Sequence, residues 1–338
     1  MLTELELDDA LSRPTSSDVE ALAALEGDLL VLGVGGKLGP SLAKLARRAS
    51  DEAHIERSII GVSRFRDART RSALEDAGID TIACDLLDPS AVARLPDCPN
   101  VVYMVGHKFG TDENHALTWA TNVHAAALAA DRYRDSRIVA FSTGNVYPLT
   151  PISTGGPTES HPPGPVGEYA QSALHRERIL EYFSRRHGTP ISILRLNYAV
   201  ELRYGVLRDL ADRVYNRQAI DLTTGYVNVI WQRDAGSIAL RTFAHCCSPP
   251  FILNVTGVDT LSVRDLATHF GDRFGIAPIF HGSESETALL SNAARCGELF
   301  GKPTVPIDRI VDWVADWVAG GGQSLGRPTH YEERKGRF

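Results

Sequence analysis

Gly33-Val34-Gly35-Gly36-Lys37-Leu38-Gly39 stands between an apolar run, DLLVL, and a segment of helical pattern ending near Arg48. Glycines at this spacing permit a tight turn and let backbone N–H groups approach a pyrophosphate. They also let the next helix pack closely on the preceding strand, while the helix N-terminus adds positive potential. The chemistry indicated is dinucleotide binding, with Gly33, Gly36, Lys37, Leu38 and Gly39 at the phosphates. A mononucleotide P-loop is excluded, because it needs Gly at Val31 and Ser or Thr at Leu38. The second apolar run, SIIGV, leads into Ser63-Arg64-Phe65-Arg66, with no acid before Asp67. An acid there would hold a ribose 2′-hydroxyl, whereas a guanidinium suits a 2′-phosphate. Ser63 and Arg64 therefore favour NADP over NAD as the cofactor, the alternative being that Arg64 is only a solvated loop arginine.

These residues need a strand before the turn and a helix after it, and the pattern repeats. From Gly27 onward the runs DLLVLGVGG, RSIIGVSR, TIACDLL, NVVYMVG and SRIVAFST alternate with helical segments such as SLAKLARRA and ATNVHAAALAADRY. Runs that are apolar throughout fit strands buried on both faces of a parallel sheet. The expected fold is α/β: a Rossmann-type, doubly wound parallel sheet with a smaller C-terminal mixed α/β substrate lobe. The expected divisions are a dinucleotide-binding domain over 27–200, a substrate lobe over 201–320 with strands returning to the core, and a C-terminal extension over 321–338 at the surface. Residues 148–168 hold six prolines and four glycines and read as an irregular loop. A helix from Tyr169, a strand ISILRLN, a helix RDLADRVYNRQ and strands VNVIW and FILNVT follow.

Of the 338 residues 43% are hydrophobic and 23% charged, as in a globular chain. A net charge of −7, from 35 Lys+Arg against 42 Asp+Glu, provides no basic field for nucleic acid or an anionic membrane. No apolar run approaches the roughly 20 residues that span a bilayer, and the N-terminus is acidic where a signal peptide is basic and then apolar. The expectation is a cytoplasmic protein acting on small molecules. Cys84, Cys98, Cys246, Cys247 and Cys296 form no CxxC pair and read as buried thiols. His115 and His124 are nine residues apart with no carboxylate completing a triad, so no metal is expected. No GxSxG elbow occurs. Only Lys37, Lys44, Lys108, Lys302 and Lys335 are lysines, so any lysine-dependent step has few candidates.

Several ordered segments resemble the extended short-chain dehydrogenase/reductase family, the NAD(P)-dependent epimerases and dehydratases. Gly33, Gly36 and Gly39 match its GxxGxxG, Asp85-Leu86-Leu87-Asp88 its DxxD, and Asn122-Val123 its mid-domain NV. Val105-Gly106-His107-Lys108 resembles its cofactor-contacting stretch after strand four. Ser142-Thr143-Gly144-Asn145-Val146-Tyr147 matches S-[ST]-x-x-V-Y, Thr158-Glu159 its TE, and Leu194-Arg195-Leu196 the strand after the catalytic helix. The resemblance implies hydride transfer at a carbinol or carbonyl carbon of a sugar-like substrate. Tyr169 is then the acid/base and Thr143 positions the reacting oxygen. Asp85, Leu86, Val105, Gly106, Lys108, Asn122, Ser142 and Tyr169 would contact cofactor, and Asn145, Asn197 and Arg203 substrate. It also implies a homodimer formed through TWATNVHAAALAADRY and YAQSALHRERILEYF. Val227 falls where sugar-nucleotide enzymes carry an arginine, which weakens a nucleotide-sugar reading and leaves Arg203 and Arg208 as candidates for an anionic substrate.

Where the family has YxxxK, this chain has Tyr169-Ala170-Gln171-Ser172-Ala173. Residues four apart share a helix face, and in the family the lysine lowers the pKa of the tyrosine. A phenol with a reference pKa of about 10 is ionised about one part in a thousand at pH 7. A unit charge about 4 Å away, in an effective dielectric near 20, would contribute up to roughly 4 kcal/mol toward ionisation. Three accounts follow from Ala173. Hydride chemistry is lost and the protein is a cofactor-binding sensor or regulator; or Arg176 or Lys108 supplies the cation. Otherwise Tyr169 and Thr143 act alone in slower or different chemistry, or the alanine silences an original lysine.

Overall fold

The structure is a computed structural model describing residues 2–111 and 113–338. The apolar runs pair as seven parallel strands: β1 (Leu29–Leu32), β2 (Ile59–Ser63), β3 (Asp80–Ala83), β4 (Asn100–Tyr103), β5 (Arg137–Thr143), β6 (Ile191–Leu196) and β7 (Phe251–Val255). Their order is β7-β6-β5-β4-β1-β2-β3. Every residue of β1 and β4 is buried, which explains their unbroken apolar character. Asn100, at the start of β4, donates to the carbonyls of Glu26 (2.8 Å) and Asp28 (3.0 Å). Strand order reverses between β1 and β4, and the crevice at their C-terminal ends is the place where such sheets bind ligands.

The connecting helices form for local reasons. Helices α1 (Glu4–Ser12) and α2 (Ser16–Ala24) precede the sheet, each opened by a capping box, Thr3 with Glu6 and Thr15 with Asp18. Buried Asp18 also pairs with Arg233 and so ties α2 to the helix over Gln232–Arg241. In α3 (Gly39–Glu52), which begins with Pro40 in its first turn, Leu42, Ala43, Leu45, Ala46 and Ala49 form the buried stripe against the sheet. A helical run covers His115–Trp119, a π-turn at Ala120–His124, and Ala125–Arg132. Beside it lies α4 (Gly167–His187), which stops at left-handed Gly188. It starts two residues earlier than the sequence suggests.

Helices α5 (Val206–Tyr215), α7 (Val263–Phe274) and α8 (Ile307–Ala319) pack together in the second lobe, whereas α6 (Gln232–Arg241) packs on α2 and α3 and puts Ala235, Ile238, Ala239 and Leu240 into the core of the main sheet. Leu207, Leu210, Val214, Phe270, Val314 and Trp317 make the second lobe's core, joined by Leu7 and Leu11 of α1. Segment VNVIW is not one strand: Tyr226–Val227 and Ile230–Trp231 pair with different partners. Asn228 between them turns inward and donates to Ser291 O at 2.7 Å. FILNVT supplies β7, which returns to the main sheet beside β6.

The expected surface extension is also corrected. Residues 325–338 run back through the cleft between the lobes, with Tyr331 2% and Thr329 3% exposed. Asp209 accepts both the amide (2.8 Å) and the hydroxyl (2.5 Å) of Thr329. No helix among the described residues is long and apolar enough to cross a membrane.

Candidate active site

The crevice is floored by the glycine turn. Gly33 has φ +91°, a left-handed conformation that favours glycine, and Gly33 N and Val34 N both donate to Val62 O of β2. At Gly39 a Cβ would lie 2.2 Å from Val34 O, so only glycine lets α3 pack this close. Gly35 and Gly36 are exposed, and a Cβ at Gly35 would meet Ser63 Oγ at 2.5 Å. The result is a cradle without side chains at a helix N-terminus, which fits a pyrophosphate. Leu38 is buried beneath it, while the Lys37 ammonium reaches away to Ala199 O (2.9 Å) and the Tyr204 ring (3.5 Å). Burial pushes the Lys37 ammonium down to about 7, against the pull of Glu201 and Asp209.

At the end of β2, Arg64 is exposed and has no ion-pair partner among the described residues. It is one residue from Ser63, which touches the turn. Beyond β3, exposed Asp85 accepts the Leu87 amide at 3.0 Å, next to buried Leu86. These positions suit the adenosine half of a dinucleotide.

The loop after β4 is fixed by Asn122, from the π-turn. Its amide accepts from His107 N (2.7 Å) and donates to His107 O (3.0 Å) and Ser172 Oγ (2.8 Å). Ser172 Oγ donates in turn to Tyr169 O at 2.9 Å. Asn122 thus locks Val105, Gly106 and His107 to the first turn of α4, where Tyr169 sits. From the end of β5 comes Thr143, 8% exposed, whose hydroxyl accepts the Asn145 amide at 3.2 Å. Tyr169 and Thr143 therefore border the same end of the sheet.

Ala173 is fully buried against Val146 and Tyr147. Of the two alternative cations, Arg176 is 4% exposed and donates to Val105 O at 3.0 Å, its Nη1 close beneath Gly106. Its Nε is buried without a partner. Lys108 instead donates to Thr329 O (2.9 Å) and lies 4.5 Å from the centre of the Phe338 ring. Burial lowers its pKa to about 8, opposed by Asp209.

A buried network that sequence reasoning missed lies behind this wall. Arg195 of β6 donates to both Glu177 oxygens of α4, the shortest contact being 2.7 Å, and to Tyr147 Oη at 2.7 Å. Ser142 Oγ donates to Glu177 at 2.5 Å, and Tyr147 Oη to Asn254 at 2.9 Å. Burial lowers the Arg195 pKa, but the hydrogen bonds and charge of Glu177 outweigh it and the net shift is upward. Ser142 is thus engaged with Glu177. A Glu one turn beyond Ala173 and an Arg inside an apolar strand were the available signals.

The substrate candidates divide. Asn145 lines a cavity beside Tyr147 and Phe338. Asn197 is 3% exposed, donating to Asn228 Oδ1 (3.0 Å) and Leu289 O (3.4 Å), so it braces the lobes rather than facing a ligand. Arg203 is held by Glu4, Asp8 and Glu201, and Arg208 by Asp212 and the Leu202 carbonyl. Neither guanidinium is free for an anion, a correction with a simple cause: the acids that hold Arg203 lie in α1 and at Glu201, and the one that holds Arg208 lies one turn on in its own helix.

The sequence profile described as NAD dependent epimerase/dehydratase family matches residues 29–217. No curated protein matches the sequence. Among solved structures, UDP-glucuronic acid 4-epimerase from Bacillus cereus, in complex with UDP-glucuronic acid and NAD, superposes with a TM-score of 0.72 at 16% identity. UDP-glucose 4-epimerase of Thermus thermophilus, complexed with NAD, gives 0.70 at 17%. That of Thermotoga maritima, with UDP-glucose, gives 0.68 at 14%. Each match covers 87% of this chain and 99% of the other. At these identities the likeness is one of fold.

Proposed function

This chain belongs to the NAD dependent epimerase/dehydratase family, and from that premise we propose that it binds NADP or NAD at the glycine turn. On the bound cofactor it carries out reversible hydride transfer at a hydroxyl or carbonyl carbon of a sugar or sugar-derived substrate. The observation that carries this reading is the shared edge: Tyr169 and Thr143 border the crevice that the side-chain-free cradle opens into. The nicotinamide supplies or accepts the hydride when bound. Tyr169 moves the proton of the reacting oxygen and Thr143 orients it. Gly33, Gly36, Leu38 and Gly39 hold the pyrophosphate, with Ser63 and Arg64 at the adenosine ribose, Asp85 and Leu86 at adenine, and Val105 and Gly106 at the nicotinamide ribose.

In place of the family lysine, the buried cation on α4 is Arg176, which acts through the Val105–Gly106 backbone it grips. An always-charged guanidinium cannot shuttle a proton, so its role is electrostatic and positioning. The exposed guanidinium of Arg64 favours NADP. We also infer that the protein works as a cytoplasmic homodimer, paired through the helices containing residues 115–132 and α4.

The test is reduced-nicotinamide absorbance when NAD⁺- or NADP⁺-loaded protein meets a panel of sugars and sugar acids. Wild type should reduce the cofactor with at least one of them, and Tyr169→Phe should lose about 10²-fold or more in rate. Equal rates in the two would overturn the assignment of Tyr169.

A further inference from the structure

The segment that re-enters the cleft has two unlike parts. Its first part is anchored: Leu325 N donates to Arg203 O, Thr329 is clasped by Asp209, and Tyr331 is buried in the second lobe's core. Arg334 then donates to Thr223 O (3.1 Å), Thr287 O (2.8 Å) and Thr287 Oγ1 (2.7 Å). After Arg334 the character changes. Lys335 and Arg337 are exposed, and the last four residues are held by backbone contacts and one ring. Phe338 O accepts from Thr111 N and Oγ1, both at 3.0 Å. The Phe338 ring meets Tyr169 in a T-shaped contact with centroids 5.6 Å apart, and the Lys108 ammonium lies over the same ring.

This placement conflicts with open access to Tyr169. Tyr169 is partly buried under the Phe338 ring, and the cavity on the other side of that ring, among Asn145, Tyr147, Val166, Leu289 and Arg334, is about 30 Å³, room for roughly two waters. A sugar ring is several times larger. Gly336, with φ +75°, rests directly on left-handed Gly167, and a Cβ on Gly336 would lie 2.1 Å from Val166 O. Backbone against backbone at two glycines gives a close seat with little side-chain burial to hold it, the kind of segment that opens locally while the rest stays folded.

We propose that residues 335–338 form a lid that occupies the substrate site, capping Tyr169 with Phe338, and that substrate enters only when this tip lifts away from Gly167. The inference rests on the reading of Tyr169 as the reacting acid/base. Arg334 and the anchored part stay in place as the root of the lid, and lifting the tip also frees the Lys108 ammonium from the Phe338 ring.

Two variants open the lid differently: deletion of 335–338, and Gly336→Ala, which keeps the whole chain but cannot seat against Val166 O. Nitration of Tyr169 by tetranitromethane, localised by peptide mass spectrometry, reads access without needing turnover. Both variants should nitrate at Tyr169 about tenfold faster than the full chain, because a closed segment protects in proportion to its closed population. With cofactor loaded, their KM for a reacting sugar should fall while kcat is kept, since a site competent only part of the time binds with reduced apparent affinity. Equal nitration rates would overturn the lid, as would an unchanged KM in active protein. Faster nitration with no cofactor reduction in any form would support the lid and refute the hydride-transfer reading instead.

Discussion

Removing Glu177 tests the wall behind the crevice. Glu177 and Arg195 each expose 3% of their side chains, and Arg195 makes charge-assisted bonds to both carboxylate oxygens. In Glu177→Ala the guanidinium keeps one side-chain partner, Tyr147 Oη, and Ser142 Oγ loses its acceptor. Stripping one member from a buried pair costs about 3–5 kcal/mol, because the other charge stays desolvated. That is a large share of the roughly 5–15 kcal/mol that holds a domain folded. Equilibrium urea unfolding should show the midpoint falling by roughly 1 M or more with the slope unchanged. The double variant Glu177→Leu/Arg195→Met, which removes both charges and fills the space, should recover most of the loss. A single variant that loses less than about 1 kcal/mol, or a double variant as unstable as the single, would refute the argument from an uncompensated buried charge.

Gly39→Ala should abolish dinucleotide binding and lower stability by more than about 1 kcal/mol in urea unfolding, because its Cβ would overlap Val34 O at 2.2 Å. Undiminished cofactor affinity in that variant would contradict the cradle. A pH dependence follows from Lys37, which burial holds down to about 7 from an ordinary 10.5. Below pH 7 both states carry the proton and the folded state bears the full cost of a desolvated charge. Between about 7 and 10.5 the unfolded state binds more protons, so this group makes stability rise with pH. In Lys37→Met the gain in unfolding free energy between pH 7 and pH 9 should be smaller than in wild type; an equal gain would show that Lys37 titrates normally.

What the sequence disclosed was local. The strands of the parallel sheet are short buried runs, and the glycine turn is a contiguous spacing, so both could be read directly. Thr143 and Tyr169 were legible only through a resemblance, since nothing in their neighbours dictates that β5 and the start of α4 meet. The helices α1 and α2 did carry a readable signal, Thr3 with Glu6 and Thr15 with Asp18, in a segment otherwise noted only for its acidity. VNVIW satisfies a strand pattern, but Asn228 has partners at Ser291 and Asn197 that outweigh local preference. The tail was hardest. EERKGR reads as a solvated charged run, and the contacts that draw it inward, Asp209 to Thr329 and Thr111 to Phe338, join residues 120 and 227 positions apart. Arg203 shows the same limit, its guanidinium being claimed by acids in α1 nearly the whole lobe away in sequence.

Whether the glycine turn holds a nicotinamide dinucleotide is read by calorimetric titration of the full chain with NAD⁺ and with NADP⁺. One site per chain is expected, with NADP⁺ binding tighter than NAD⁺ and that preference lost in Arg64→Ala while NAD⁺ affinity is kept. Absence of heat from either nucleotide would contradict dinucleotide binding and leave the turn as a purely structural junction between β1 and α3.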